Sequence, residues 1–390
     1  LTSNYRTEKK RESMSLESIP SRQAFSAFLE LLKRVDEEFL SEERRVTEAS
    51  DIAEGEHMLL HLVKAAIDVW VDNDASRPRF APLASAVLKW GGEGADNPSH
   101  CAPLDPARRY VIRGRMKDEA YISFTVYTGK AEGDWNDGVI SAINHTQFEL
   151  SPDGSFEIPI ELVETPGALH MEAGKPNCVI SRHYWEGEVC GMADPANQVE
   201  LSLDCLDEPG YPRPLGPQRL ASKLEAAMNF IRGQTIDRPA SPDPSKQPEW
   251  FSLIPNQLPK PIKWVPSEGG GAGAVDNAYC AGLVVLAPGE ALVVEGRWPE
   301  CVYANVMFWN RFLQAPDYRY RPGSLNRKQM KADSEGNFRF VVAHEDPGVA
   351  NWIDTEGHGF GTLYWRFLLP EGDIEQPRCE VVSFASVRES

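Results

Sequence analysis

Basic residues are scarce in this chain: its 390 residues include 58 acids but only 40 lysines and arginines, which gives a net charge of −18. A field of this sign repels nucleic acid backbones and anionic membrane surfaces. No apolar run approaches the ~20 residues that a membrane span needs. The start, "LTSNYRTEKKRES", has no apolar segment typical of a secretory signal. These absences argue against nucleic acid and membrane partners and predict a cytoplasmic protein.

Cysteine pairs and cofactor motifs are also missing. The seven cysteines are an odd number without a C-x-x-C pair, which is typical of unpaired thiols in a reducing compartment. The stretches "GGEG" (91–94) and "GGGAG" (269–273) lack the lysine of a phosphate-binding loop. His57 and His61 lie one helical turn apart but without the H-E-x-x-H pattern. We therefore predict neither a cofactor nor a metal site.

Three stretches have helical periodicity. Apolar residues recur at three- and four-residue steps over 19–45, after a candidate N-cap at Ser21, and again over 47–72 and 217–232. Short β-branched and aromatic runs follow Pro78 and predict strands. Residues 234–274 contain eight prolines and the run "EGGGAGA", so we predict a linker there. Trp250 and Trp264 suggest that parts of it lie against a surface.

The most informative pattern is an internal repeat. Residues 104–158 align without a gap with 286–340, an offset of 286 − 104 = 182. "YVIRGR" meets "LVVEGR", and "INHTQFELSPDGSFEI" meets "LNRKQMKADSEGNFRF". The "YW" at 184–185 aligns with the "YW" at 364–365, and the "DN" at 96–97 with the "DN" at 276–277. Because each copy has the length of a domain, we interpret the repeat as a duplicated domain.

These patterns predict a mainly β fold with a helical N-terminal segment, in which two related antiparallel β-sandwich or jelly-roll-like lobes give an α+β protein overall. The expected divisions are an extension (1–18), a helical segment (19–75), a first sandwich (80–206), a helix with a Pro/Gly-rich linker (207–274) and a second sandwich (275–390). The "GR" pairs at 114–115 and 296–297 predict a bulge or bend. "SPDGSF" and "DSEGNF" predict tight hairpins.

Polar residues that occur only in the second copy predict a functional site there. A carboxylate beside an imidazole can form a general-base pair, and an arginine fork suits a carboxylate or sulfate. The candidate catalytic residues are His344, Asp346, Asp354 and His358, and the candidate substrate-binding residues are Arg319, Tyr320, Arg321, Trp352 and Arg366.

Structural roles for the same residues remain an alternative. Asp346 can cap its own turn through an Asx-type hydrogen bond. Arg319 and Arg321 can form ion pairs with Asp317 or Glu345. In that case, the polar set of the second copy stabilises loops and does not line a site.

Three segments of the second copy resemble a bacterial family known as domain of unknown function 1214. They are the R-x-x-S-L-N element at 321–326, the H-x-D-P-G turn at 344–348 and the N-W-x-D-T-x-G-H segment at 351–358. The resemblance covers about residues 275–370, and "KWGGEGADNPSHC" and "YISFTVY" resemble the upstream half of longer members. The resemblance implies a β-sandwich fold but no particular activity.

Two functions of different kinds stay open. One is a cofactor-independent enzyme, of hydrolase or lyase type, that performs acid–base chemistry in the second lobe on a small, partly apolar organic molecule, with an anionic group as an option. The other is a non-catalytic ligand-binding or assembly protein, for which a homo-oligomer is one form. Convergence of His344, Asp354 and His358 in a concave pocket would favour the enzyme.

Overall fold

The computed structural model describes residues 16–241, 243–265 and 274–388. Most of the expected extension and of the "EGGGAGA" run therefore lies outside the described residues, apart from a short 3-10 helix at Leu16–Ser18. With 32% strand, 20% helix and four sheets, the fold is mainly β and has N-terminal helices. The predicted fold class is confirmed.

Helices form at the three predicted places. Helix α1 covers Pro20–Arg34 and α2 covers Ala49–Ala66, and each continues into a π-helical turn, Val35–Phe39 and Ile67–Val71. Helix α3 covers Pro217–Gln234, and a short helix α4 covers Phe384–Arg388. Proline starts α1 because its missing N–H would have no partner in the first turn. Ser21 therefore lies inside the helix and is not its N-cap.

Helices α1, α2 and α3 share one core with the first lobe. Phe28 and Leu31 of α1 are buried there together with Tyr127 and Ile180 from the outer face of a sheet. Phe25 and Leu29 have the helical spacing of apolar residues that predicted α1, but they are 53% and 54% exposed. The prediction that this apolar stripe is buried is therefore wrong at these two positions. None of the helices in the described ranges has the length and hydropathy of a membrane span.

Nine strands build the first lobe. The strands are β1 Ala81–Ala84, β2 Ser99–Leu104, β3 Tyr110–Arg115, β4 Tyr121–Thr128, β5 Gly138–Asn144, β6 Ser155–Glu161, β7 Leu169–His170, β8 Asn177–Tyr184 and β9 Glu200–Cys205. One sheet has the order β1-β2-β8-β4-β5 and the other β7-β6-β3-β9, and residues from both sheets form one core.

The second lobe follows the same plan. The strands are β10 Phe251–Ser252, β11 Ile262–Lys263, β12 Asn277–Val285, β13 Glu290–Arg297, β14 Tyr303–Trp309, β15 Ser324–Asn326, β16 Asn337–Ala343, β17 Trp352–Asp354, β18 Phe360–Leu368 and β19 Arg378–Ser383. One sheet has the order β10-β12-β18-β14-β15, with β11 also paired to β12, and the other has the order β17-β16-β13-β19. The proline-rich segment 243–265 thus adds two short strands to this lobe.

The strand orders of the two lobes correspond. The path β2-β8-β4-β5 matches β12-β18-β14-β15, and β7-β6-β3-β9 matches β17-β16-β13-β19. This correspondence supports the duplication, which remains an interpretation. The aspartate–glycine turns before β6 and β16 have Gly154 and Gly336 at positive φ. Each is a tight turn closed by a backbone hydrogen bond of 2.9 Å, from the N–H of Ser151 to the carbonyl of Ser155 and from the N–H of Asp333 to the carbonyl of Asn337. An antiparallel bridge joins Ala332 to Phe338 across the second turn, but the longer strands before and after each turn belong to different sheets.

The "GR" pairs do not form bulges. Gly114 stays in register opposite Phe156, and Gly296 stays in register opposite Phe338. A Cβ atom on Gly114 would lie 2.5 Å from the Phe156 ring, and one on Gly296 would lie 2.7 Å from the Phe338 ring. Glycine is needed at both places because an aromatic ring packs directly on the strand.

Two carboxylates join the lobes reciprocally. Asp96, between β1 and β2, accepts a hydrogen bond of 2.8 Å from Tyr303 in the second lobe. Asp276, just before β12, accepts hydrogen bonds from Tyr121 and, at 2.7 Å, from Asn144 in the first lobe. In each lobe, one sheet turns its outer face towards the other lobe: the sheet with β8 in the first lobe and the sheet with β18 in the second. These hydrogen bonds hold the two faces beside each other.

Candidate ligand-binding cavity

A cavity of about 420 Å³ lies between the two lobes. It is lined by β8 of the first lobe, by β12, β14 and β18 of the second, by the segment 90–97, by the end of α3 and by the proline-rich segment 243–265. Its volume is in the range of small-molecule sites. A wider groove of about 790 Å³ runs along β13 and β19, but Arg339 and Arg378 in it are exposed. The interlobe cavity is therefore the better enclosed site.

Arg182 and Arg366 place two buried guanidinium groups in the cavity wall, with exposures of only 8% and 7%. Side chains alternate along a strand. Because Val179 of β8 and Trp365 of β18 enter the sandwich cores, the two arginines lie on the opposite faces. Arg182 donates a hydrogen bond of 3.0 Å to the hydroxyl of Tyr127.

Uncharged groups hold Arg366 in place. Its Nη2 donates to the carbonyl of Gly92 at 2.7 Å, and its Nη1 lies 3.2 Å from Met307 Sδ. The guanidinium also lies 5.0 Å from the ring centre of Trp309 and 4.8 Å from that of Tyr364. Among the described residues, no carboxylate forms an ion pair with it. Glu93 acts on it only at longer range. A buried guanidinium group without a carboxylate in direct contact favours an anionic ligand group.

Aromatic rings form much of the remaining wall. Tyr364 packs 4.3 Å from Trp309, 5.6 Å from Tyr279 and 6.0 Å from Trp250, measured between ring centres. Trp250 belongs to the proline-rich segment, so that segment closes the cavity as well as connecting the lobes. Burial raises the pKa of Tyr184 to about 12, which keeps its hydroxyl neutral. Rings around guanidinium groups suit a planar or apolar anion.

The segment "GGEG" supplies both close packing and a buried acid. Gly92 has a positive φ, and a Cβ atom there would lie 2.7 Å from the Trp309 ring. Glu93, which follows it, also lines the cavity, and its Oε1 accepts a hydrogen bond of 2.9 Å from the N–H of Ala315. Its Oε2 is buried without a hydrogen-bond partner among the described residues. Burial raises the pKa of Glu93 to about 7.

Of the site residues predicted from the sequence, Arg366 alone lines this cavity. His344 and His358 come together around Thr355, whose hydroxyl lies 2.7 Å from His344 Nδ1 and whose carbonyl lies 2.7 Å from His358 Nδ1. The Nε2 atom of His358 lies 2.7 Å from Glu54 Oε1 in α2. Neither histidine is hydrogen-bonded to a predicted carboxylate partner. Their contacts instead tie β17 and the following turn to the lobe and to α2.

The other predicted acids and arginines have local partners. Asp346 accepts a hydrogen bond of 2.7 Å from the N–H of Gly348, which is the Asx-type turn of the structural alternative. Arg319 pairs with Asp317 at 2.6 Å.

Arg321 pairs with Asp354 at 2.7 Å and with Glu356 at 3.2 Å, and not with Glu345. Tyr320 is 82% exposed, and the Trp352 ring N–H donates to the carbonyl of Ala343 at 3.2 Å. These contacts favour structural roles.

Sequence reasoning missed Arg182 because it aligned the two "YW" pairs, which placed Arg366 opposite Glu186. In the sheets, Arg182 pairs with Ser123 and Arg366 with Asn305. Since 305 − 123 = 182, the same offset as the repeat, Arg366 occupies the position of Arg182. The arginine is therefore not particular to the second copy. The register of the strands differs from the "YW" alignment by four residues, since 366 − 182 = 184 whereas 364 − 184 = 180. An alignment shifted by these four residues would have found Arg182.

No group of three His, Cys, Asp or Glu side chains within the described ranges is arranged to hold a metal ion. All seven cysteines are free thiols, as the odd count suggests. The cavity offers guanidinium, indole, phenol and one carboxyl group. This chemistry suits an organic ligand better than a metal ion.

The fold and the cavity define a two-lobed, mainly β protein with a helical cover. Residues 298–372 match the family model described as "Protein of unknown function (DUF1214)". This match confirms the family resemblance of the C-terminal part.

An uncharacterised protein from Burkholderia cenocepacia, known from its crystal structure, has the same fold. It is 27% identical with a TM-score of 0.80, over 94% of this chain and 99% of that one. A protein from Vibrio parahaemolyticus aligns over 84% of this chain and 98% of its own, at 12% identity and a TM-score of 0.42. No curated protein matches the chain.

Proposed function

We propose that this protein binds a small organic anion with a planar, partly apolar body in the interlobe cavity. The observation that carries the proposal is the position of Arg182 and Arg366, buried at corresponding places of β8 and β18 and lining one space. A carboxylate can accept two parallel hydrogen bonds from a guanidinium group. The aromatic rings beside Arg366 would contact the body of the ligand.

The cavity supports binding more directly than it supports the acid–base chemistry predicted for the second lobe. His344, Asp346, Asp354 and His358 are outside its lining and have partners of their own. One observation still favours a catalytic alternative: Glu93 is a titratable group in the wall of the same cavity. The proposed ligand is the same in both cases.

Titration with benzoate, phenylacetate and indole-3-acetate tests the proposal, with benzyl alcohol as a neutral probe. Calorimetry measures the affinity, and tryptophan fluorescence reports on Trp250 and Trp309, which line the cavity. We expect the acids to bind and the alcohol to bind at least tenfold more weakly, because only the acids can pair with the arginines.

Two variants locate the site. Arg366→Met keeps an unbranched apolar side chain but removes the guanidinium group and its charge, and it should weaken binding of the acids about 10- to 100-fold. Arg319→Gln is the matched control, because Arg319 is bound to Asp317 and lies outside the cavity lining. Equal affinity of wild type and Arg366→Met for every acid that binds would refute the proposal, as would a lack of binding by all three acids.

A further inference from the structure

Glu93 has two carboxyl oxygens in different surroundings. Oε1 accepts a hydrogen bond from the N–H of Ala315, whereas Oε2 is buried and has no partner among the described residues. The residue is 3% exposed and follows Gly92, whose carbonyl accepts a hydrogen bond from Arg366. An ionised oxygen without a donor is unfavourable in the interior. The geometry therefore favours a proton on Oε2.

Nearby charges act in the opposite direction. Burial raises the pKa of Glu93, and the positive charges of Lys89 and Arg366 lower it again, which leaves it at about 7. Lys89 is itself buried, and its Nζ donates to the carbonyls of Ala315 and Pro316 at 3.0 and 2.8 Å. Glu93 thus exchanges between charged and neutral forms close to neutral pH.

Two further titratable groups lie close to this acid. The Tyr318 ring lies under Lys89 Nζ at 4.4 Å, and burial raises the pKa of its phenol, so it stays neutral. Asp96, three residues after Glu93, is outside the cavity lining and accepts hydrogen bonds from Tyr303 and from the N–H of Gly191. Burial raises the pKa of Asp96 to about 6, below that of Glu93. Glu93 is therefore the acid of this group that lines the cavity.

We infer that each organic anion bound in the cavity is accompanied by one proton, which Glu93 takes up. The inference rests on the proposed function, in which the anion pairs with Arg366. Two negative charges beside the same buried guanidinium repel each other, and the weaker acid becomes protonated. Glu93 need not touch the ligand. It is a positioning residue that sets the charge around Arg366. The anion and the proton on Glu93 enter together, so binding adds no net charge to the site.

Calorimetry with benzoate at about pH 8 measures this proton directly. Benzoate is fully ionised there, since carboxylic acids titrate near 4. The difference between binding enthalpies in phosphate and in Tris buffer gives the number of protons taken up. We expect close to one proton per benzoate, and a Kd that rises about tenfold per pH unit above pH ~7.

The Glu93→Gln variant separates the inference from a merely structural role. The amide keeps the shape of the neutral acid but cannot titrate, so we expect no proton uptake and the same Kd at pH 6 and pH 8. Asp317→Asn is the control, because the hydrogen bond from Arg319 keeps the pKa of Asp317 low and the residue stays ionised. This variant should take up as many protons as the wild type.

Infrared difference spectra of wild-type protein with isotope-labelled glutamate provide a second measurement that needs no variant. A band of a protonated glutamic acid should grow when benzoate binds. Benzoate binding without proton uptake, without this band, or with equal uptake in Glu93→Gln would overturn the inference and leave the proposed function standing. If benzoate does not bind, the same measurements apply to whichever of phenylacetate and indole-3-acetate binds. Absence of binding by all three acids would end the inference together with the proposed function.

Discussion

The phenol of Tyr303 in the second lobe donates a hydrogen bond of 2.8 Å to Asp96 Oδ2 in the first, and both residues are fully buried. The amide of Asn326 donates to the same oxygen at 3.3 Å. The cavity between the lobes depends on how they face each other. Contacts such as this one therefore determine the geometry of the site as well as its stability.

Tyr303→Phe removes the donor and leaves a buried carboxyl oxygen with a weaker partner. We expect a loss of about 1–3 kcal/mol in the free energy of unfolding, measured by urea denaturation. Tyr318→Phe is the matched control, because the hydroxyl of Tyr318 is buried without a partner among the described residues. Its removal should be close to neutral. A smaller loss for Tyr303→Phe than for Tyr318→Phe would contradict the role given to this contact.

Gly92→Ala tests the close packing of the glycine-rich segment. The positive φ of Gly92 and a Cβ position 2.7 Å from the Trp309 ring should together cost about 2–4 kcal/mol in unfolding free energy. Gly91 also has a positive φ, but nothing lies within 4 Å of its Cβ position. Gly91→Ala should therefore cost only about 1–2 kcal/mol. If the two variants unfold at the same urea concentration, the contact with Trp309 does not contribute.

The pH dependence of the free energy of unfolding should reveal the raised pKa of Glu93. Its pKa is about 7 in the folded protein and 4.5 ordinarily, so the folded state holds a proton that the unfolded chain has released. Stability should therefore fall as pH rises from about 4.5 to about 7, by up to about 3 kcal/mol, and then stay level with respect to this group. The Glu93→Gln variant should lose this part of the slope in urea unfolding between pH 5 and pH 8. An unchanged slope would mean that Glu93 ionises normally.

His358 should contribute a second, separable pH effect. Its hydrogen bond with Glu54 raises the pKa of the imidazole above 6.5. The stabilisation that the charged His358 gains from Glu54 is therefore complete below pH 6.5. It is lost as the pH rises through the higher pKa that His358 has in the folded protein. For this partly buried pair we expect about 1 kcal/mol. Glu54→Gln should destabilise the protein more at pH 6 than at pH 9, whereas Glu56→Gln, an exposed acid on the same helix, should not show this difference.

Local sequence patterns were sufficient to predict the helices, the strands and the class of fold. The three helices carry a 3.6-residue periodicity, and the strands carry turn residues at their ends, so both are specified by neighbours in sequence. The repeat then indicated two similar lobes, and the strand orders agree with it. Burial along α1 was harder to predict, because Phe25 and Leu29 have the same apolar character as Phe28. Only the position of α3 decides which of them is covered.

Patterns in the sequence predicted the helices, the mainly β lobes and the family resemblance, and they included Arg366 among the candidate site residues. The tertiary structure gives the polar set around 344–358 partners in its own loops and in α2, and it places Arg366 in the cavity between the lobes, where we propose the ligand site. Arg182, Glu93, Trp250 and Arg366 are far apart in the chain and meet only when the two sheets face each other. Periodicity reports what one segment buries, whereas a cavity depends on the relative placement of several segments, which no single segment encodes.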